Sequence, residues 1–236
     1  MKNPLDPFKF WKRSDSQTSG SSISREAKPA RAASASAHAA YQTSILKDFV
    51  TALTRKENPV VLDLGPVIGS NIEFFLNLGI KVCMEDFLAA YSNPKYSTLV
   101  DDKITLNEEQ FLSENFNYAN ESLDGLICWD FLSYLDPKFA RIFVDRITAK
   151  MKPDSLVLGF FRTQKSAAPV PLYKYRISSE SFLEYIPVDR AMEIKKVYQT
   201  RDVTQLFTKF HSQKFYLLKH QVLEVLLRKR VPAANP

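Results

Sequence analysis

One stretch of the chain combines an acid, two glycines and a coming helix. Val60-Val61-Leu62-Asp63-Leu64-Gly65-Pro66-Val67-Ile68-Gly69-Ser70-Asn71 runs from an apolar, β-branched segment into a turn. Glycine lets a backbone turn sharply and approach a ligand closely. A helix start beside it offers N–H groups with no partner inside the helix. Spacing separates two kinds of nucleotide binder. A G-x-G-x-x-G fingerprint from Gly65 requires glycine at 67 and 70, where Val67 and Ser70 stand. An acidic-x-G-x-G-x-G pattern is met by Asp63, Gly65 and Gly69, and only Val67 departs. A β-branched residue does not readily take positive φ, so Val67 demands another loop conformation or a narrower site. Further candidates lie at the ends of other apolar runs. Glu85-Asp86 follow Ile80–Met84, Trp129-Asp130 follow Leu123–Cys128, and Arg162 follows Ser155–Phe161. Trp129 is placed to wall a ligand or to close the core, and Asp130 to orient a substrate or to cap a helix. Arg162 is placed to meet an anionic substrate group.

These residues need elements to hold them, and the periodicity supplies an alternating set. Tyr41 to Arg55 reads as an amphipathic helix with Ile45, Leu46, Phe49, Val50 and Leu53 on one stripe. A strand at Val60–Gly65 leads into a helix started by a Ser70/Glu73 capping box and stopped by Gly79. Strands are predicted at Ile80–Met84, at Tyr96–Val100 as a short third strand, at Leu123–Trp129 and at Ser155–Phe161. Helices are predicted over 105–116 and after Asp136-Pro137, a cap followed by a first-turn proline. Beyond these, Ser178–Tyr185 reads as a helix, Glu193–Tyr198 as a strand and 201–210 as a helix. Lys214–Leu227 reads as one long strand or a bent pair. Strands alternating with helices imply parallel pairing through helical crossovers, with helices on both faces of the sheet. Ligands then bind outside the carboxyl ends of the strands, where Asp63, Gly65, Glu85, Asp86, Trp129, Asp130 and Arg162 converge.

In element order the span from about 41 to 229 resembles the class I S-adenosylmethionine-dependent methyltransferases. The resemblance rests on Val60–Pro66 as the first motif and on Glu85-Asp86, 22 and 23 residues after Asp63, as its acidic position. It rests also on Asp124 ahead of an apolar run as the fourth-strand motif, on the Met151–Ser155 turn, and on a long C-terminal strand. It implies a Rossmann-like, doubly wound, mostly parallel seven-stranded sheet with an antiparallel last strand. S-adenosylmethionine is the implied cofactor and S-adenosylhomocysteine the product. Asp63, Gly65, Gly69 and Trp129 would bind the cofactor, with one of Glu85 and Asp86 holding both ribose hydroxyls. Asp130 and Arg162 are the substrate candidates. The implied function is methyl transfer to an unidentified acceptor; the alternative is a catalytically inactive, methyltransferase-like binding or scaffold protein. The acid that usually contacts the adenine amine has no clear counterpart between Asp102 and Asp124, and no substrate motif follows the fourth strand.

The 236 residues, 45% hydrophobic and 25% charged, suffice for one domain with a real core and exclude wholesale disorder. The net charge of +6 resides in the ends: residues 1–40 hold 7 Lys/Arg against 3 Asp/Glu, and Arg228-Lys229-Arg230 lies near the other terminus. The intervening body is near neutral, which disfavours nucleic acid without excluding it and leaves a small-molecule or protein substrate. Residues 1–40 read as a disordered, basic, Ser/Ala-rich tail with an aromatic cluster at 5–13, suited to docking on a partner or membrane surface or to loose packing. Residues 41–230 form the expected domain and 231–236 a disordered end. Cys83 and Cys128 fall inside predicted strands as free thiols. The three histidines, His38, His211 and His220, make no metal pattern. With no secretory signal and no apolar run near ~18 residues, a cytoplasmic location is expected.

Overall fold

A computed structural model describes residues 39–100, 102–217 and 221–232. The tail at 1–38, with its cluster at 5–13, and residues 233–236 lie outside these. Two faces of one sheet organise the described residues. The sheet contains β2 (Val60–Asp63), β3 (Lys81–Met84), β6 (Leu123–Ile127), β7 (Met151–Arg162), β10 (Phe210–Leu217) and β11 (Val222–Lys229). Their spatial order is β10-β11-β7-β6-β2-β3. The pairs β3/β2, β2/β6 and β6/β7 are parallel, while β11 is antiparallel to both of its neighbours. This is the expected α/β architecture, with an antiparallel last strand and with six strands in place of seven.

The doubly wound arrangement is written in alternation along each strand. Leu62, Leu126, Val157 and Phe161 join one apolar cluster; Val61, Ile127, Leu158 and Phe160 join the other. The first cluster packs α4 (Glu108–Glu114), α5 (Pro137–Lys150) and α6 (Thr200–Leu206) around stacked phenylalanines, among them Phe87 against Phe131 at 4.1 Å. The second buries α1 (Ile45–Leu53), α2 (Gly69–Asn77) and a smaller three-stranded sheet. Asp136 caps α5 by accepting from the N–H groups of Lys138 and Phe139, as its sequence predicts. Gly79 ends the turn after α2 at φ 72, which glycine adopts without strain. Cys83 and Cys128 are free thiols.

Four expectations are corrected. The missing strand is the predicted Tyr96–Val100: β4 (Ser97–Val100) pairs with β5 (Lys103–Leu106) in a separate hairpin. All four residues of β4 are exposed, so the segment brings too little apolar surface to seat itself at the sheet edge. The predicted helix at Ser178–Tyr185 is instead the turn of a hairpin, β8 (Val170–Ser179) with β9 (Phe182–Met192). Leu172, Tyr175, Ile177 and Leu183 are its buried residues. The short apolar runs fit either period, and the turn Glu180-Ser181 carries no glycine to mark it. β1 (Ala39–Gln42) pairs with β9 to complete the smaller sheet, so the helix predicted from Tyr41 starts only at Ile45. Glu193–Tyr198 is not a strand. It is strapped across strand ends, where Lys195 N–H donates to the Ser133 carbonyl (2.9 Å) and Tyr198 N–H to that of Arg162 (2.8 Å).

The capping box fails as well. Helix α2 begins at Gly69 behind Ile68 with no side-chain cap, and the Ser70 hydroxyl is buried without a partner. Asn71 instead ties the helix to the hairpin: its Nδ2 donates to the Tyr175 carbonyl (2.9 Å) and its Oδ1 accepts from Ile177 N–H (2.8 Å).

Candidate functional site

The carboxyl ends of β2, β3, β6 and β7 bring most of the sequence candidates to one edge. Asp63, the last residue of β2, is fully buried. Its Oδ1 accepts from Gly65 N–H (2.8 Å) and from the Trp129 indole N–H (2.6 Å), while Oδ2 has no partner. Burial pushes the carboxyl up to about 6, against the opposing pull of Gly65, Trp129 and the nearby Asn71 amide.

Gly65 is required by its neighbour. A Cβ there would lie 2.5 Å from Trp129 Nε1 and 2.7 Å from Cδ1, so only glycine lets the indole rest on this turn. Trp129 is 4% exposed. Its ring stacks on Tyr175 from β8, centroids 4.8 Å apart and planes 1° from parallel, and on Phe160 at 5.8 Å. Its backbone sits at φ 25, a region that large side chains rarely adopt. Gly69 is different: a Cβ would meet nothing within 4 Å, so neither space nor backbone demands glycine there. Val67 keeps a negative φ and turns its side chain outward at 64% exposure, which is how the loop accepts a β-branched residue.

The two acids after β3 divide their work. Asp86 caps α3 (Phe87–Tyr91), its Oδ1 accepting from Ala89 N–H at 2.9 Å. Glu85 continues the ladder through its N–H to the Asp63 carbonyl (2.9 Å), and its Oε1 accepts from the Tyr118 hydroxyl (2.5 Å). Burial and then the neighbouring Glu85 carboxylate raise the Tyr118 phenol. Both acids line an open cleft of ≈ 550 Å³ together with Asn115, Phe116, Asn117 and Tyr118. A second cavity of ≈ 130 Å³ lies under the β8–β9 hairpin, bordered by Gly65, Pro66, Trp129, Lys174, Tyr175 and Arg190. Asp86 borders both.

Arg162 and Asp130 satisfy each other. Nη2 and Nε of Arg162 reach Asp130 Oδ2 at 2.8 and 3.2 Å, and the Tyr134 hydroxyl donates to the same oxygen at 2.8 Å. The positive charge is already matched inside a closed network, so an anion at this position would compete with Asp130. Asp124 lies elsewhere. It stands near the amino end of β6, accepting from Val60 N–H (3.0 Å) and Lys152 (2.7 Å), at the opposite edge of the sheet.

Sequence reasoning missed Tyr118, Asn71, Tyr175 and Arg190. Tyr118 stands in an irregular stretch, and the three others depend on a hairpin in whose place the sequence predicts a helix at Ser178–Tyr185. Among the described residues no group of three or more His, Cys, Asp or Glu is placed to hold a metal ion. Among them, too, no helix is long and apolar enough to cross a membrane.

No family model matches the sequence, and no curated protein matches it. Solved structures are similar in chain trace. A 1,6-didemethyltoxoflavin-N1-methyltransferase from Burkholderia thailandensis, solved with 1,6-didemethyltoxoflavin and S-adenosylhomocysteine, is 15% identical with a TM-score of 0.45. That match covers 80% of this chain and 79% of the other. A S-adenosylmethionine-dependent methyltransferase from Methanosarcina mazei is 12% identical, TM-score 0.46, over 80% of this chain and 98% of its own. Another from Archaeoglobus fulgidus is 14% identical, TM-score 0.44, over 78% and 91%.

Proposed function

We propose that this domain binds S-adenosylmethionine and directs its methyl group to a small-molecule or protein acceptor. The observation that carries the reading is Glu85, a carboxylate at the end of the strand beside the glycine turn, opening into the large cleft at the sheet's ligand edge. Such a carboxylate can take both hydroxyls of a ribose in charge-assisted hydrogen bonds. Asn115 and Asn117 border the same cleft and offer both donors and acceptors to a base.

Asp63 tests the fit at the other end. Its Oδ2 is a buried acceptor without a donor, and a carboxylate in that state is suited to a ligand ammonium. The cofactor supplies a methyl group already activated as a sulfonium, so the chain's own task is alignment. Glu85 and Tyr118 would fix the sugar, Asp63 the amino-acid end, and Tyr175, which borders the second cavity from the hairpin, would help to keep water from the transfer position.

A second reading, a non-catalytic binding protein on the same fold, is favoured by the indole of Trp129 lying on Gly65. Calorimetric titration with S-adenosylhomocysteine separates the two acids and tests the site. Glu85→Ala is expected to weaken binding at least about tenfold, the loss of a charge-assisted pair. Asp86→Ala is expected to keep affinity within a few-fold and to lower stability by about 1 kcal/mol through the lost α3 cap. No heat and no thermal stabilisation of folded protein at millimolar ligand would overturn the cofactor reading. An acceptor screen with S-adenosylmethionine would then be the test of turnover.

A further inference from the structure

We infer that Trp129 is the chain's own occupant of the cofactor's amino-acid end, an internal plug that leaves Gly65 and Asp63 when the ligand enters. The inference rests on the S-adenosyl reading of the site. Three features meet in this one residue. The indole occupies the space that a Cβ on Gly65 would need, so the opening created by the glycine is filled from within. Its N–H holds Oδ1 of the buried Asp63, leaving Oδ2 without a donor. Its backbone at φ 25 is strained for a bulky residue, a cost that the closed arrangement sustains through the stack with Tyr175 and Phe160.

The cleft at Glu85 is different in kind, being open and free of the indole. The plug therefore blocks only half of the ligand. A nucleoside can enter, whereas an attached amino acid must first displace the ring. The apparent affinity for the whole ligand is its intrinsic affinity multiplied by the fraction of molecules with the plug withdrawn. Tyr175 belongs to β8, so withdrawal also removes a stacking partner from the hairpin over the second cavity.

The test compares S-adenosylhomocysteine and adenosine by calorimetry on the full chain, as wild type, Trp129→Ala, Trp129→Phe and Glu85→Ala. Trp129→Ala is expected to bind S-adenosylhomocysteine at least about tenfold more tightly than wild type, with adenosine affinity changed less than about twofold. Trp129→Phe, which keeps a ring but loses the N–H bond, is expected to fall between. If Trp129→Ala does not fold, the indole itself reports. In a Trp11→Phe background Trp129 is the sole tryptophan, and its emission is expected to move to the red with S-adenosylhomocysteine and not with adenosine. Equal or weaker S-adenosylhomocysteine binding in both Trp129 variants, with no emission change, would overturn the plug while leaving the cofactor site intact. Absence of binding by every folded protein, Glu85→Ala included, would instead remove the cofactor reading on which the plug depends.

Discussion

Asp63 is the residue where folding and the proposed ligand binding conflict. Full burial with one oxygen unpartnered holds its carboxyl near 6, above its ordinary 3.8. Below about pH 4 the group is protonated in both the folded and unfolded chain and costs nothing. Between about pH 4 and 6 the unfolded chain ionises first, so stability falls as pH rises; above 6 the loss is complete, on the order of 3 kcal/mol. Asp63→Asn keeps an acceptor for Gly65 and Trp129 but carries no charge. Its thermal stability relative to wild type is expected to grow from pH 4 to 6 and to stay constant above, measured by melts across that range. The buried Glu224, also raised by its burial, titrates in both proteins and cancels from the difference. The same substitution is expected to abolish S-adenosylhomocysteine binding. The position of these residues was legible in the sequence: Asp63, Gly65 and Glu85 stand at the carboxyl edge of the sheet, where their spacing placed them. The purpose of Gly65 was not, because it depends on an indole 64 positions away along the chain.

Among the elements, the β8–β9 hairpin has the largest consequences for the site. It supplies Tyr175 to the stack on Trp129 and borders the second cavity with Lys174 and Arg190. Its attachment to the glycine turn runs through Asn71, which satisfies a carbonyl and an N–H of β8 from the first turn of α2. Asn71→Ala would leave both backbone groups unpaired in a buried place. A loss of about 2–4 kcal/mol is expected in urea unfolding, with faster amide exchange in β8 before global unfolding. The helix expected over Ser178–Tyr185 shows why this element was hidden. Eight residues hold two turns of helix or the tip of a hairpin, and a turn without glycine gives no punctuation between the two.

For the molecule as a whole, the two edges of the central sheet have different work. At the carboxyl edge Asp63 keeps a buried oxygen without a donor, and Glu85 and Asp86 border open space. At the amino edge the acids are paired: Asp124 takes the Val60 N–H and Lys152, while Asp154 takes Arg228 and Lys56. The fourth-strand aspartate expected from the resemblance thus stabilises the sheet and does not touch the site. Asp124→Ala leaves the Val60 N–H unpaired and removes the Lys152 partner. It is expected to cost about 2–3 kcal/mol in denaturant unfolding and to leave S-adenosylhomocysteine affinity unchanged within twofold. A comparable loss of affinity would show that the two edges are coupled through β2 and β6.

The sequence by itself determined the alternation of strands and helices, the doubly wound layering and the gathering of Asp63, Gly65, Glu85, Asp86, Trp129, Asp130 and Arg162 at one end of the sheet. Those are consequences of local periodicity, of chirality in parallel crossovers and of turn chemistry, all of which act over short stretches of chain. Only the tertiary structure decided which groups satisfy one another. Arg162 is matched by Asp130, Asp86 by its own helix, and Asp63 by Trp129, because hydrogen-bond and charge pairing depend on distances of a few ångströms between residues far apart in sequence. The same long-range packing removed one strand from the sheet and laid a hairpin over the glycine turn.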